Sequence, residues 1–437
     1  MMPSIRQNTR AQWRAWVIAA ALVAASAASA AAQTIAIVGG KVFPVSSAPI
    51  EHGTVLIRNG KIAAVGANVA VPAGAERIDA TGKWVTPGLV NSATDLGVDE
   101  IGAVTETRDA HAKTATGIAA GFRVIDGFNP RSVHIQGARE AGVTTAVVLP
   151  SGGLIAGQAA VMDLSHGTAA SMTLEAPAVM VGELGNSEQV DAGARGEVVE
   201  RLRELIEDTR AFARNRSAYD RGATRHYAAS LLDLEAMVPV VQGKLPLLVT
   251  TDRASDIEEA LSLAKEYGLK IMIEGGAEAW MVADELAAAK VPVLTGAMNN
   301  IPNSFAELGS RQENAALLRK AGVQVVLIGN AGSGGEGGFN AGNIRYEAGN
   351  AVAYGMSWDD ALRAITLAPA QVFGVADRVG SLAPGREANV VVWSGDPFEF
   401  STTADDVFIR GNRVTGKSRR ELLVERYKTL PPNYDQP

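Results

Sequence analysis

No cysteine occurs in the 437 residues. Disulfides and thiolate metal ligands are therefore excluded, and the folded state has to rest on its core. Histidine is scarce too: the five copies are His52, His111, His134, His166 and His226, and none stands two, three or four residues from another. That spacing excludes the short-range histidine pairs from which many zinc sites are built. Positive charge is also short, with 40 Lys and Arg against 47 Asp and Glu and a formal charge of −7. An acidic balance of this kind makes nucleic acid a poor partner. Long apolar runs are missing as well, apart from "AWVIAAALVAAS" near the N-terminus.

That one run follows Arg6, Arg10 and Arg14 and gives way to small residues, "AASAAAQ". It reads as a secretory signal peptide over residues 1–32, cleaved near Ala32, because it is shorter than the roughly 20 apolar residues of a membrane span. Loss of its three arginines takes the formal charge from −7 to −10. The expectation is a secreted or periplasmic protein with no stable membrane span.

What remains divides by pattern. From Thr34 to Val85 short strands alternate with turns, and "GTVLIRNGKIAAVG" places Asn59-Gly60 where a two-residue hairpin turn needs positive φ. The stretches "ANVVVWSGDP" and "VFIRGNRVTG" near the other end resemble these strands, so residues 33–86 and 380–418 are expected to form a composite β-sandwich. Residues 419–437 are left as a tail. In residues 87–379 apolar strands such as "LPLLVT", "LKIMIEGG", "VPVLTG" and "VQVVLIGN" precede helical patterns beginning at Asp256, Ala277, Arg311 and about Asn343, the grammar of a parallel α/β sheet. Ser255 to Glu258 and Ser357 to Asp360 fit capping boxes, and "EVVERLRELIEDTRAFARNRSAYD" reads as one long helix from Glu197 to Asp220. Four earlier candidates, "PGLVNSAT", "VTTAVVLP", "QAAVMDL" and "APAVMVGE", bring the strands to eight, as in a (β/α)8 TIM-type barrel. The gaps after Pro150 and Leu164 are too short for helical crossovers, which need about a dozen residues. One of these strands is therefore open to being an inserted hairpin.

Several stretches carry a resemblance: "TPGL" at Thr86 to Leu89, "REAGVTTAVVLP", "DRASDIEEALSLAKEYGLK", "GGAEAW", "NIRYEAGNAVAYGMSWDDALRAITLAPAQVFGV" and "GSLAPGREANVVVW". Together they resemble the amidohydrolase superfamily, and within it the imidazolonepropionase-like exported members. The resemblance implies a hydrolase acting on carbon–nitrogen bonds. It also implies a divalent metal such as zinc, held at the C-terminal ends of barrel strands by histidines, an Asp and sometimes a carboxylated Lys. Such an ion lowers the pKa of bound water to about 7. Onto this chain the expected ligand positions fall at Ala93, Asp95, Thr250, Gly275 and Asn330. None keeps the family's residue, and a lone carboxylate at Asp95 falls short of the three protein ligands of a catalytic zinc site. The resemblance is thus to a divergent member with a degenerate metal site, and no cofactor is expected.

The catalytic candidates left are Asp95, Asp252, Glu274 and His111, with Ala93, Thr250, Gly275 and Asn330 as candidate pocket residues. Asp252 and Glu274 could act as paired carboxylates with separated pKa values, or be held by backbone at loop ends. His111 sits in the polar loop "DEIGAVTETRDAHAK"; the other histidines read as ordinary surface or hydrogen-bonded residues. The glycines at Gly332, Gly334 and Gly337 match G-x-G-x-x-G, but seven glycines in Gly329–Gly342 make such a match cheap, and a loop over the barrel mouth is the plainer reading. "SGGLIAGQAAVMDL" is open between a mouth segment and a tight hairpin. Three functions stay open: a hydrolase without the usual metal, a catalytically inactive barrel (a pseudoenzyme) that binds a small molecule or an intact relative, and a rearranged site holding one metal. A homo-oligomer, or pairing with a related amidohydrolase, belongs with the second.

Overall fold

The computed structural model describes residues 34–185, 190–298, 302, 304–329 and 337–429. The expected leader and Asn330, Gly332 and Gly334 lie outside the described residues. Strands β1 (Thr34–Val42), β2 (Ile50–Arg58), β3 (Lys61–Gly66), β4 (Glu76–Asp79) and β5 (Trp84–Pro87) open the chain. The barrel strands follow: β6 (Leu89–Thr94), β7 (Val143–Val148), β8 (Ile155–Asp163), β9 (Thr173–Glu183), β10 (Leu247–Thr251), β11 (Ile271–Gly275), β12 (Val293–Thr295) and β13 (Val325–Leu327). β14 (Val390–Trp393), β15 (Ala404–Ile409) and β16 (Asn412–Arg413) close it.

The terminal strands form one sheet in the order β16-β15-β14-β5-β1-β2-β3, with β4 beside β1. The two chain ends therefore do share a sheet, as their similar strands suggest, and β14 runs antiparallel to β5 from Val390↔Pro87 to Trp393↔Trp84. Asn59 and Gly60 form the β2–β3 turn with φ of 53° and 75°, the left-handed pair that fits the twist of a hairpin.

The second sheet runs β6 to β13 in sequence order and curves into a nearly closed barrel. Seven strands are parallel, and β8 is antiparallel to both β7 and β9. The strand "QAAVMDL" is thus a full member of the sheet that runs the other way, which explains how the gaps after Pro150 and Leu164 can be so short. Ser151 to Leu164 contributes this strand and the turn before it. With no crossover helix over β8, the loop after β6 lies against it, through bridges Ile118↔Ile155 and Arg123↔Gln158. Gly157 makes the approach feasible: a Cβ there would stand 2.6 Å from the Phe122 carbonyl oxygen.

In β10 Leu247 and Val249 pack outward with the helices while Leu248 packs inward, and the same alternation puts Met272, Leu294 and Val326 in the lumen. Each such side chain contributes about 1.5–3 kcal/mol by leaving water. Helices Ala254–Tyr267, Ala283–Ala289, Asn314–Ala321 and Ile344–Ala353 follow β10 to β13. Their starts differ in detail from the sequence reading. Ser357 does cap its helix, accepting from Asp360 N–H at 3.1 Å. The expected box at Ser255 does not form, since the helix already begins at Ala254 after Arg253. The long helix also breaks: it runs Arg195–Arg214, and Asn215 caps a separate turn, Arg216–Asp220, by accepting from Ala218 N–H at 3.1 Å. No helix among the described residues is long and apolar enough to cross a membrane.

Candidate active site

Strand alternation decides which residues reach the C-terminal mouth of the barrel. Above Leu248 the next inward residue on β10 is Thr250, and above Met272 on β11 it is Glu274; the two are paired directly across the sheet. Thr250 is equally level with Glu183 on its other side, and Glu183 follows the inward Val179 and Val181. The mouth therefore carries a row Glu183–Thr250–Glu274 immediately above an apolar layer. Glu183 was not among the sequence candidates. It ends an almost wholly apolar strand, whose two faces cannot be told apart until the register is known.

Thr250 Oγ donates to Glu274 Oε2 at 3.1 Å. That bond favours the carboxylate, but burial outweighs it, and with repulsion from Asp252 it pushes Glu274 up to about 7. Asp252, just past β10, is raised to about 6, chiefly by burial, against one stabilising bond from Ala277 N–H at 3.1 Å. The charges bearing on it are Glu307 and Glu278, both of which raise it further. Two of the four catalytic candidates are thus neighbours at one corner of the mouth.

The other two stand apart. Asp95 leaves β6 into the next loop beside Gly338, and burial with help from Asp99 raises it to about 6. His134, whose Nε2–H donates to the Glu100 carbonyl oxygen 2.8 Å away, opposes that rise. His111 is exposed, its Nδ1 2.8 Å from the Ser151 carbonyl oxygen, and its ring lies over Gly152. It is a hydrogen-bonded surface histidine and does not join the carboxylates. His166 faces Arg139, which holds it below its ordinary value.

The expected pocket residues resolve differently. Ala93 is buried in the apolar lumen and offers no donor atom. Gly275 is more than a missing side chain: its φ is +89°, and a Cβ there would stand 2.6 Å from Asp252 Oδ1. The Asp252 carboxylate occupies the space from which a ligand at 275 would grow. Thr250 has its hydroxyl committed to Glu274. Among the described residues no three of His, Asp and Glu come together in a way that could hold a metal ion, so this donor set does not fit the zinc centre that the resemblance implies.

Comparison with known proteins agrees with the architecture. The sequence pattern of the amidohydrolase family matches residues 250–414. An amidohydrolase of known structure from Thermotoga maritima MSB8 is 28% identical and superposes with a TM-score of 0.78, over 88% of this chain and all of that one. These likenesses support the amidohydrolase superfamily. An imidazolonepropionase of Mesorhizobium japonicum is 24% identical over 377 residues, 79% of this chain and 87% of its own. The amidohydrolase tasK of Hapsidospora irregularis is 24% identical over 394 residues, which is 82% of this chain and 39% of tasK, so the chain spans well under half of that relative's length. In this chain the corner shared by Thr250 and Gly275 carries the Asp252 and Glu274 carboxyls and the Thr250 hydroxyl.

Proposed function

We propose that the protein hydrolyses a carbon–nitrogen bond of a small molecule at the barrel mouth, using carboxylates for acid–base chemistry in place of the usual metal. The observation that carries this reading is the Glu274–Asp252 corner, two neighbouring carboxyl groups at the mouth that burial raises toward neutrality, one held by the Thr250 hydroxyl and the other by Ala277 N–H. With both carboxyls raised toward neutrality, the pair holds a shared proton near neutral pH, which lets Asp252 serve as the base and Glu274 as the acid. Asp252 takes a proton from water as its oxygen bonds to the carbonyl carbon. Glu274 gives its proton to the leaving nitrogen as the C–N bond breaks, and proton transfer between the two resets the pair. Thr250 fixes the Glu274 rotamer. Export to the periplasm or beyond, on the strength of the N-terminal leader, belongs to the same reading.

The test is a screen of small amides, lactams, carbamates and dipeptides at pH 5–9 with chelator-treated protein of measured metal content. Turnover is expected, and Glu274→Gln should lower kcat by roughly 100-fold or more. A second reading has its own support: the left-handed Gly275 and the apolar layer directly below Thr250 suit a barrel that binds a small molecule or a related chain without turning anything over. Ligand-induced stabilisation without turnover across the screen would favour it and end the hydrolase reading.

A further inference from the structure

The loops that leave the C-terminal ends of the barrel strands carry large apolar side chains that stand exposed among the described residues. Phe305 is 88% exposed, Phe339 72%, Leu308 65%, Ile101 55%, Met281 47% and Met298 40%. They come from the loops after β6, β11, β12 and β13, so they ring the mouth on several sides. The loop after β12 is braced against the one after β11: Gly309 N–H donates to Glu278 Oε1 at 2.8 Å and lies against Met281. Scattered single apolar residues on a surface are ordinary, but a group on one functional face marks a binding surface.

Charge decides what that surface accepts. Below the rim lie Asp252 and Glu274, and the charges bearing on them are Glu307, Glu278 and each other's neighbour Asp252, all negative. Arg311 on the same loop is committed to Glu313 at 3.2 Å and to the face of Trp280. Each floor carboxylate has one oxygen engaged, Asp252 Oδ1 by Ala277 N–H and Glu274 Oε2 by the Thr250 hydroxyl. The described residues give the second oxygen of each no donor. An anionic ligand would be repelled here, a neutral one offers at most a hydrogen-bond donor without charge, and an ammonium supplies three donors with the complementary charge.

We propose that the uncovered apolar rim receives small apolar amines, whose hydrocarbon body lies on Phe305 and Leu308, which flank Glu307 beside Asp252, while the ammonium points to the Asp252 and Glu274 oxygens. This rests on the mouth being the working site, as in the hydrolase reading, and names the substrate class of that site as amine-bearing and apolar. An aromatic rim adds attraction for the cation as well as for the body.

The experiment is calorimetric binding of 4-phenylbutylamine, 4-phenylbutanol and 4-phenylbutyrate to the full protein at pH 8.5, above the raised values of both carboxyls, at low and high salt. The amine is expected to bind at least tenfold more tightly than the alcohol, with a preference that shrinks as salt rises, and the carboxylate not at all. Glu274→Gln should reduce the preference for amine over alcohol. Phe305→Ser with Leu308→Ser should weaken amine and alcohol alike, and thermal melting of each variant establishes that it is folded. Equal binding of amine and alcohol, tighter binding of the carboxylate, or an amine preference unchanged in Glu274→Gln overturns the proposal. Sedimentation of the double variant is the remaining arm: a dimer in the parent protein that dissociates in the variant would make the rim an interface between copies, which also overturns it. Because binding is read without turnover, amine selectivity in a protein that hydrolyses nothing would leave this inference standing and the hydrolase reading lost. Turnover of amides with no preference for an amine would do the reverse.

Discussion

At the end of the barrel away from the mouth, Asp163 is completely buried and fully answered: Arg410 stands 3.2 Å away, Asn389 Nδ2 donates at 3.0 Å, and Ser165 N–H donates at 3.0 Å. At the mouth Glu274 has one hydroxyl bond and a repelling carboxylate for a neighbour. The first arrangement joins the barrel to the terminal sheet, since Asn389 and Arg410 flank β14 and β15 while Asp163 ends β8. The second joins nothing. Its cost is unrelieved by any cation among the groups that act on it, and such an uncompensated carboxyl in a cleft is the pattern that functional sites show.

Removing each carboxylate should separate the two sharply. Asp163→Ala leaves Arg410 and Asn389 without their partner, and breaking a buried pair from one side is expected to cost about 3–5 kcal/mol. Asp163→Asn should recover part of that by keeping hydrogen-bonding atoms in place. Glu274→Gln should cost little or stabilise at pH 8, because it removes a charge that burial disfavours. Urea denaturation of the three variants measures this, and equal losses at both ends would break the distinction between a structural and a functional carboxylate.

A smaller effect is expected at Gly275. Gly275→His would nominally restore a ligand of the superfamily, yet the left-handed backbone and the Asp252 oxygen stand against any side chain there. We expect a loss of about 1–3 kcal/mol and no stoichiometric zinc after dialysis, read by thermal melting and elemental analysis. A stable variant that takes up one zinc would show that the corner is merely depleted of ligands and has not been rebuilt around Asp252.

The two ends of the barrel also differed in how far the sequence disclosed them. Strand runs such as "LPLLVT" and "LKIMIEGG" were readable because parallel barrel strands are buried on both faces and so are continuously apolar. The same continuity hid the site: nothing in "APAVMVGE" tells which of its residues look into the lumen, so Glu183 became visible only through its register with Thr250. Asp252 and Glu274 were legible as polar residues at strand ends, and their adjacency follows from β10 and β11 being neighbours. The reversed β8 was signalled by short gaps, but length alone could not choose between a hairpin outside the sheet and an antiparallel strand within it. The Asp163 group, drawn from residues more than two hundred positions apart, carries no local pattern at all. Neither does the positive φ of Gly275, since a glycine permits such a conformation without announcing it.

The finest separation is in pH. Burial raises Glu274 from 4.5 to about 7 and raises Asp95 and Asp252 from 3.8 to about 6. A raised carboxyl binds its proton more tightly in the folded state, so its contribution to stability is full below the unfolded value and is lost as pH rises through the folded one. Asp95 and Asp252 have largely spent theirs by pH 6, which leaves the interval from 6 to 7 mainly to Glu274. His166, held below 6.5 by Arg139, acts in the opposite sense, but it does so equally in the parent protein and the variant. The parent should therefore lose stability from pH 6 to pH 7 relative to Glu274→Gln, by under about 1 kcal/mol once solvent screening at the open mouth is allowed for. Melting temperatures of the two proteins at quarter-unit steps across that interval give the difference directly. Parallel curves would mean that Glu274 is ionised throughout, which removes the proton on which its role as the acid depends.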